Sequence, residues 1–204
     1  MTEEEAQAWV RTRFGAIGAN RMAKLVELVA GEAERQNLIA SSTFATIWAR
    51  HIVDSAQLIA FAEDARGDWL DIGTGAGFPG LVVAALTGRR VQLVEPRRRR
   101  ADFLAAAAAA LEIGERVTVR ASKVEAIKAE GAVISARAVG SVDSLFASAS
   151  HCSTAETLWL LPKGRSAREE VATAQQTWHG VFHVEQSVTD PGSLIVLAKG
   201  VSRR

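Results

Sequence analysis

The sequence contains a single cysteine, and this scarcity excludes several classes of site. Cys152 has no second thiol with which to form an internal disulfide or a structural zinc site. The four histidines show no metal-ligand spacing with one another or with carboxylates, so no metal site is expected. Nothing in the chain requires an oxidising compartment, and a cytoplasmic location is therefore expected.

Long apolar runs and a strong net charge are also missing. The most apolar tract, residues 101–113, carries Asp102 and Glu112 and is too short to span a bilayer. The first residues are acidic where a secretory signal would be basic, so neither export nor membrane insertion is expected. The formal net charge is only +1, but clustered arginines predict one basic face.

The length of 204 residues suits one α/β domain with a modest extension. Hydrophobic residues make up 48%, which argues against a mostly disordered chain. Apolar residues at helical spacing predict two amphipathic helices over residues 3–14 and 20–35 and a third over 44–62. We expect this helical extension, residues 1–62, to form one compact unit with a domain of residues 63–204.

From Trp69 onwards, short apolar runs alternate with helical segments, as is typical of βαβ units and a mainly parallel sheet. Seven strands are predicted, over residues 69–72, 91–95, 117–120, 133–136, 158–161, 181–186 and 194–198. Helices are predicted over residues 79–87, 97–112, 122–128, 141–151 and 166–178. A turn at 189–193 predicts that the last two strands form an antiparallel hairpin. This α/β pattern resembles the class I methyltransferase, or Rossmann-like, fold.

The strongest motif is Asp-Ile-Gly-Thr-Gly-Ala-Gly-Phe-Pro-Gly at residues 71–80, between a predicted strand and a predicted helix. Its glycines let the backbone turn sharply and approach a ligand. Because residues 75–80 fit the pattern G-x-G-x-x-G, a nicotinamide or flavin dinucleotide is a direct competitor. Two details favour S-adenosylmethionine. Asp71 either supports the loop or meets a methionyl ammonium group, and it would repel a pyrophosphate. Pro79 removes an N–H that a pyrophosphate would use.

Further candidates follow the next three predicted strands, at the edge where open α/β sheets bind ligands. Glu95 can accept hydrogen bonds from both ribose hydroxyls of either cofactor class. After the third strand, the backbone of Val124 can meet an adenine, or Ser122 and Glu125 can form a capping box, and both can hold together. Arg137 can contact the methionine carboxylate of the cofactor, hold the substrate, or pair with a neighbouring acid.

A run of arginines opens the predicted helix 97–112, where positive charge opposes the helix dipole. Arg97, Arg98, Arg99 and Arg100 are either a solvated face or a phosphate-binding surface for RNA. No Asn-Pro-Pro-aromatic pattern follows the fourth strand, so exocyclic amines are not expected targets. Cys152 lacks a Pro-Cys context for attack on cytosine, and a buried structural role is expected for it.

In combination these motifs resemble the bacterial glucose-inhibited division protein B family, the 16S ribosomal RNA guanine-N7 methyltransferases. The matching segments are Asn37-Leu38-Ile39, Arg50-His51-Ile52 with Asp54-Ser55, residues 71–80, Arg100 with Phe103-Leu104, Val124-Glu125, residues 135–138 and residues 161–164. The chain departs from the family where a Lys-Arg pair usually precedes Phe-Leu, because Arg-Ala-Asp stands there instead. The resemblance implies methyl transfer from S-adenosylmethionine to a guanine N7 without a general base, since N7 carries a lone pair and no hydrogen.

Motifs and resemblance together predict the residues of each site. Cofactor contacts are expected from Asp71, Gly73, Gly75, Gly77, Phe78, Glu95, Val124, Glu125 and Arg137. Contacts with 16S ribosomal RNA, or with the small ribosomal subunit, are expected from Arg97, Arg98, Arg99, Arg100 and Lys163, although Lys163 could simply end a strand. A monomer is expected. Two alternatives stay open: an NAD-dependent oxidoreductase, for which no histidine lies at an obvious sheet edge, and a non-enzymatic ribosomal RNA-binding or assembly factor.

Overall fold

The computed structural model describes residues 1–204 and is built on one seven-stranded sheet with the order β3-β2-β1-β4-β5-β7-β6. The strands are β1 Trp69–Ile72, β2 Val91–Val94, β3 Val117–Arg120, β4 Val133–Ala136, β5 Leu158–Lys163, β6 Trp178–Gln186 and β7 Leu194–Arg203. Strands β1 to β5 pair in parallel, whereas β7 runs antiparallel to both β5 and β6. All seven predicted strands and the terminal hairpin are confirmed, although β6 begins earlier and β7 ends later than predicted.

The helices are α1 Glu3–Ala33, α2 Asp54–Ala56, α3 Leu58–Phe61, α4 Gly80–Leu86, α5 Arg98–Ala110, α6 Val142–Ala149 and α7 Ala167–Ala174. Four of the five helices predicted between strands are present as α4 to α7. The prediction over 122–128 is wrong, because only Val124–Ala126 forms a short 3-10 turn. Burial of Val124 and Ile127 in the core outweighs the local pattern. The capping box is absent as well, since the hydroxyl of Ser122 donates to the carbonyl of Lys123 at 3.2 Å.

The helical extension before β1 is less regular than the predicted helices. Gly15, with φ 70° and ψ −177°, interrupts α1, which explains why the apolar pattern indicated two helices there. After α1, a 3-10 turn over Ser41–Thr46 leads into a π-helical segment, Trp48–Val53, and then into α2 and α3. The segment from Ser41 to Phe61 is therefore helical throughout most of its length, as predicted, but with changing pitch.

One apolar cluster joins the extension to the sheet. Met22 and Leu25 of α1 and Ile52 of the π-helical segment are fully buried in the same cluster as Leu81 of α4 and Leu93 of β2. Boundaries at residues 62 and 63 stay a prediction, but the extension has no separate core. No helix is long and apolar enough to cross a membrane.

Candidate functional site

The glycine-rich loop leaves β1 at the carboxyl edge of the sheet and enters α4. Gly73, Gly75 and Gly77 all have positive φ, at 64°, 60° and 102°. At Gly80 a Cβ would lie 2.3 Å from Leu93, so the start of α4 packs against the sheet without room for a side chain. A Cβ at Gly75 would meet nothing closer than 3.7 Å. The loop is therefore tight on its inner side and approachable at Gly75.

Asp71 lies beneath this loop with no exposed surface. Its Oδ2 accepts from the N–H of Gly80 at 3.0 Å, and its Oδ1 accepts from the hydroxyl of Ser135 at 2.6 Å. Ser135 in turn accepts from Nε1 of Trp69 at 2.8 Å. Burial raises the pKa of Asp71 from its ordinary 3.8 to about 6, despite these hydrogen bonds. Of its two predicted roles, this geometry fits loop support, because the buried carboxylate binds the N–H of Gly80 at the start of α4.

Glu95 ends β2 and is only 3% exposed. One carboxylate oxygen accepts from the N–H of Gly75 at 2.9 Å, and the other accepts from the N–H of Arg97 at 2.9 Å. Asp71 and Glu95 thus engage the N–H groups of Gly80 and Gly75, while Pro79 between them has none. Two N–H groups that could otherwise bind a pyrophosphate are therefore bound to carboxylates.

Arg137 follows β4 and is held by a cluster from the helical extension. Its guanidinium donates to the carbonyl of Arg50 at 2.9 Å and to Nδ1 of His51 at 2.6 Å, and it lies 3.4 Å from the Asp54 carboxylate. It also lies 5.4 Å from the ring centroid of Phe78, in the glycine-rich loop. Burial, opposed by Asp54, lowers the pKa of Arg137 from its ordinary range. The neighbouring acid considered for Arg137 is therefore Asp54.

His51 connects Arg137 to the loop. Its ring stacks on Phe78 with centroids 5.0 Å apart and planes at 21°. Burial, and then the charges of Arg137 and Arg50, lower the pKa of His51 to about 3, so the ring is neutral at physiological pH. Because an arginine can only donate, Nδ1 accepts from Arg137, and Nε2 carries the proton and donates to Thr43 at 3.1 Å.

The expectation that no histidine lies at the sheet edge is wrong. His51 reaches the carboxyl edge because the segment from Ser41 to Phe61 crosses over it, a packing that helical periodicity does not reveal. The available signal was the Arg50-His51 pair with Asp54, which the family resemblance contains. Next to this cluster, Ala138 has a φ of 57°, a left-handed conformation that costs an alanine about 1 kcal/mol or more.

The predicted RNA-binding arginines differ in how far their side chains are engaged. Arg98 pairs with Asp102 at 2.9 Å, and both side chains are mostly exposed. Arg99 donates to the carbonyl of Arg35 at 3.1 Å, and Arg100 donates to that of Asn37 at 2.7 Å. These bonds fasten the chain after α1 to the start of α5. Within the run, only the exposed side chain of Arg97 has no hydrogen-bond or ion-pair partner.

Lys163, Val124 and Glu125 occupy three different settings. Lys163 ends β5, pairs with Glu170 at 2.9 Å and donates to the carbonyl of Gly140, which leaves its side chain 9% exposed. Val124 is buried and Glu125 is exposed, both just beyond the carboxyl end of β3. The structure therefore brings Arg137 and Phe78 together and places Lys163 in a half-buried ion pair.

A polar cleft of about 610 Å³ opens beside Arg137, at the carboxyl ends of β4 and β5. Only three of its 16 lining residues are hydrophobic. Its walls come from the segment Thr46 to Asp54, from Arg137 to Gly140, from Pro162 to Gly164 and from the hairpin turn. No group of three or more His, Cys, Asp or Glu residues is placed to hold a metal ion, and Cys152 is a buried free thiol.

Comparison with known proteins gives consistent matches over the whole chain. Residues 19–192 match the family described as GidB: rRNA small subunit methyltransferase G. Ribosomal RNA small subunit methyltransferase G from Novosphingobium aromaticivorans is 48% identical over 205 residues, covering 98% of this chain and 89% of that protein. The protein of the same name from Rhizorhabdus wittichii is 46% identical over 209 residues, covering 100% and 95%.

Among solved structures, the glycopeptide N-methyltransferase MtfA complexed with sinefungin aligns with a TM-score of 0.62. The alignment covers 73% of this chain and 93% of MtfA at 11% sequence identity. At that identity the likeness shows the fold alone. It confirms the predicted class I methyltransferase architecture.

Proposed function

Since the chain belongs to the GidB family of rRNA small subunit methyltransferases G, we propose that it transfers a methyl group from S-adenosylmethionine to N7 of a guanine in 16S ribosomal RNA. Membership of the family supports the type of reaction, and the chemistry of the glycine-rich loop supports the choice of cofactor. Membership of this family also argues against the NAD-dependent oxidoreductase and the non-enzymatic assembly factor.

One observation separates S-adenosylmethionine from a dinucleotide. The N–H groups of Gly75 and Gly80 are bound by the carboxylates of Glu95 and Asp71, so a pyrophosphate would meet two negative charges at the loop. A sulfonium ligand with a ribose and an ammonium group is compatible with this charge. Each oxygen of Glu95 accepts one hydrogen bond within the protein and retains a lone pair for a ribose hydroxyl.

The remaining predicted cofactor contacts are part of the proposal. Gly73, Gly75, Gly77 and Phe78 would line the loop side, and the backbone at Val124 with Glu125 would lie towards the adenine. Arg137 is fixed by His51 and Asp54 at the edge between loop and cleft. A guanidinium there can hold a carboxylate of the cofactor or an acceptor of the substrate.

The cofactor supplies an electrophilic methyl group, and the protein's task is alignment. Guanine N7 has an in-plane lone pair and no proton to lose, so the proposed reaction requires no general base. Stacked on Phe78 and neutral, His51 keeps Arg137 in one orientation without adding charge. Holding the nucleophile and excluding water from the cleft would supply the rate enhancement.

The RNA surface is proposed along the same edge of the sheet. The exposed arginine run at the start of α5 would contact phosphates, with Arg97 and Arg98 best placed because Arg99 and Arg100 also fasten the segment after α1. Lys163 would contact the RNA while it remains paired with Glu170. We propose that the protein acts on ribosomal RNA in the cytoplasm, and that it does so as a monomer.

Calorimetric titration of the protein with S-adenosylmethionine and, separately, with NAD tests the cofactor. We expect micromolar binding of S-adenosylmethionine only. Gly75→Val should abolish it, because its side chain would project into the approachable side of the loop at a φ of 60°. Labelled methyl transfer to 16S ribosomal RNA and to small ribosomal subunits lacking the modification then tests the reaction. Transcripts made with 7-deazaguanine should accept no label; label on them would exclude N7.

A further inference from the structure

Arg50 stands out among the cations of the polar cleft because its side chain is not engaged. Arg137 is bound by Asp54 and His51, and Lys163 by Glu170 and Gly140. The side chain of Arg50, by contrast, is exposed and has no hydrogen-bond or ion-pair partner, while its carbonyl accepts from Arg137. The cleft therefore contains one free guanidinium anchored by its own backbone to the clustered site.

The position of the cleft relates it to the cofactor loop. Its lining does not include the glycine-rich loop itself, but His51 and Arg137 line the cleft and also contact Phe78 in that loop. A ligand in the cleft would thus lie next to the loop without competing for its backbone. Its volume of about 610 Å³ is within the range of about 300 to 1,000 Å³ common for small-ligand sites.

The chemistry of the lining suits a nucleotide. Most of the 16 lining residues carry polar or charged side chains, and the free arginine among them matches a phosphate group. In A-form RNA, guanine N7 lies in a deep and narrow groove, so an enzyme that reacts with it gains access by binding an unpaired or extruded nucleotide. Such a nucleotide would bring one base and a neighbouring phosphate.

We propose that this cleft binds a single nucleotide of the RNA, with Arg50 contacting a phosphate beside it while the base lies against Arg137. The inference rests on the proposed function and adds the subsite that receives the target. Arg50 would act by binding RNA and would not act on the methyl group. Its loss should weaken ground-state and transition-state binding equally.

The test compares Arg50→Gln with Arg50→Lys and with Arg66→Gln. Arg66 is a matched control, because it is also exposed and unpaired but precedes β1, at the opposite edge of the sheet. Binding to 16S ribosomal RNA and to small subunits is measured over a series of salt concentrations, together with the calorimetric Kd for S-adenosylmethionine and with kcat and KM for methyl transfer.

For Arg50→Gln we expect about tenfold weaker RNA binding, a salt slope lower by about one, and a raised KM with kcat within about twofold. Arg50→Lys should recover most of the affinity, and Arg66→Gln should match the wild type. The proposal is overturned if Arg50→Gln binds RNA like Arg66→Gln, or if it loses S-adenosylmethionine binding. Because RNA binding is read without methyl transfer, a wild type that transfers no methyl group would count against the proposed function alone.

Discussion

Replacing Asp71 by asparagine should change how the stability of the protein depends on pH. The substitution should stabilise the protein at high pH and destabilise it at low pH. The carboxyl is fully buried, and its pKa rises from 3.8 to about 6 on folding. Because the folded state holds the proton more tightly than the unfolded chain, protonation of Asp71 favours folding fully below pH 4. That contribution is lost as the pH rises through about 6.

The size of the effect follows from the two pKa values. The two pKa values differ by about two, and a pKa difference of one corresponds to about 1.4 kcal/mol. The ionised carboxylate is therefore about 3 kcal/mol less favourable for folding at pH 8 than the protonated form is below pH 4. An asparagine is always neutral. Its oxygen can still accept from Gly80, but the hydrogen bond with Ser135 must reverse, at a cost of about 1 kcal/mol.

Asp71→Asn should therefore be about 2 kcal/mol more stable than the wild type at pH 8 and about 1 kcal/mol less stable below pH 4. Urea unfolding followed by tryptophan fluorescence at several pH values measures both differences. Titration of other groups cancels in the comparison of the two proteins. A variant that is less stable than the wild type at pH 8, or a difference independent of pH, would refute the reasoning. The Kd for S-adenosylmethionine should change less than about threefold if Asp71 only supports the loop.

Two further predictions concern buried rings. His51 has a pKa of about 3 in the folded protein, so the wild type should lose about 2 kcal/mol more stability than His51→Phe between pH 8 and pH 5, because only the unfolded chain takes up the proton there. Equal losses in urea unfolding would contradict the neutral ring. Trp69→Phe should cost about 1 to 2 kcal/mol more than Trp159→Phe, since Nε1 of Trp69 donates to Ser135 whereas Nε1 of Trp159 has no partner. Thermal and urea unfolding of both variants measure this, and a larger loss for Trp159→Phe would exclude it.

The sequence predicts the sheet well because its strands are marked locally. Runs such as Val91–Val94 and Val133–Ala136 are mostly apolar, and the glycines of residues 71–80 indicate a turn between a strand and a helix. The hairpin follows from the turn residues between β6 and β7. Local patterns fail where packing between distant segments decides the outcome, as with Val124, whose burial replaces a helix by a single 3-10 turn.

The site is predicted in part for the same reason. Glu95 and Arg137 are found because they end strands, and the ends of parallel strands share one edge. His51 and Asp54 are missed because their place depends on how the extension crosses that edge. The sequence also does not reveal which arginines of the run bind the segment after α1 and which have free side chains.

The position of β7 between β5 and β6 has a consequence for dissecting and tagging this protein. β6 pairs with no strand other than β7. A fragment that ends before Leu194 therefore lacks β7 and leaves β6 without a partner strand. Gln57 donates to Ser187 at 2.9 Å and accepts from the N–H of Val188 at 3.0 Å, which ties the hairpin back to the extension. Split-protein designs should therefore keep the hairpin whole. Labels belong at the amino edge of the sheet, near Arg66, where they would leave the cleft open.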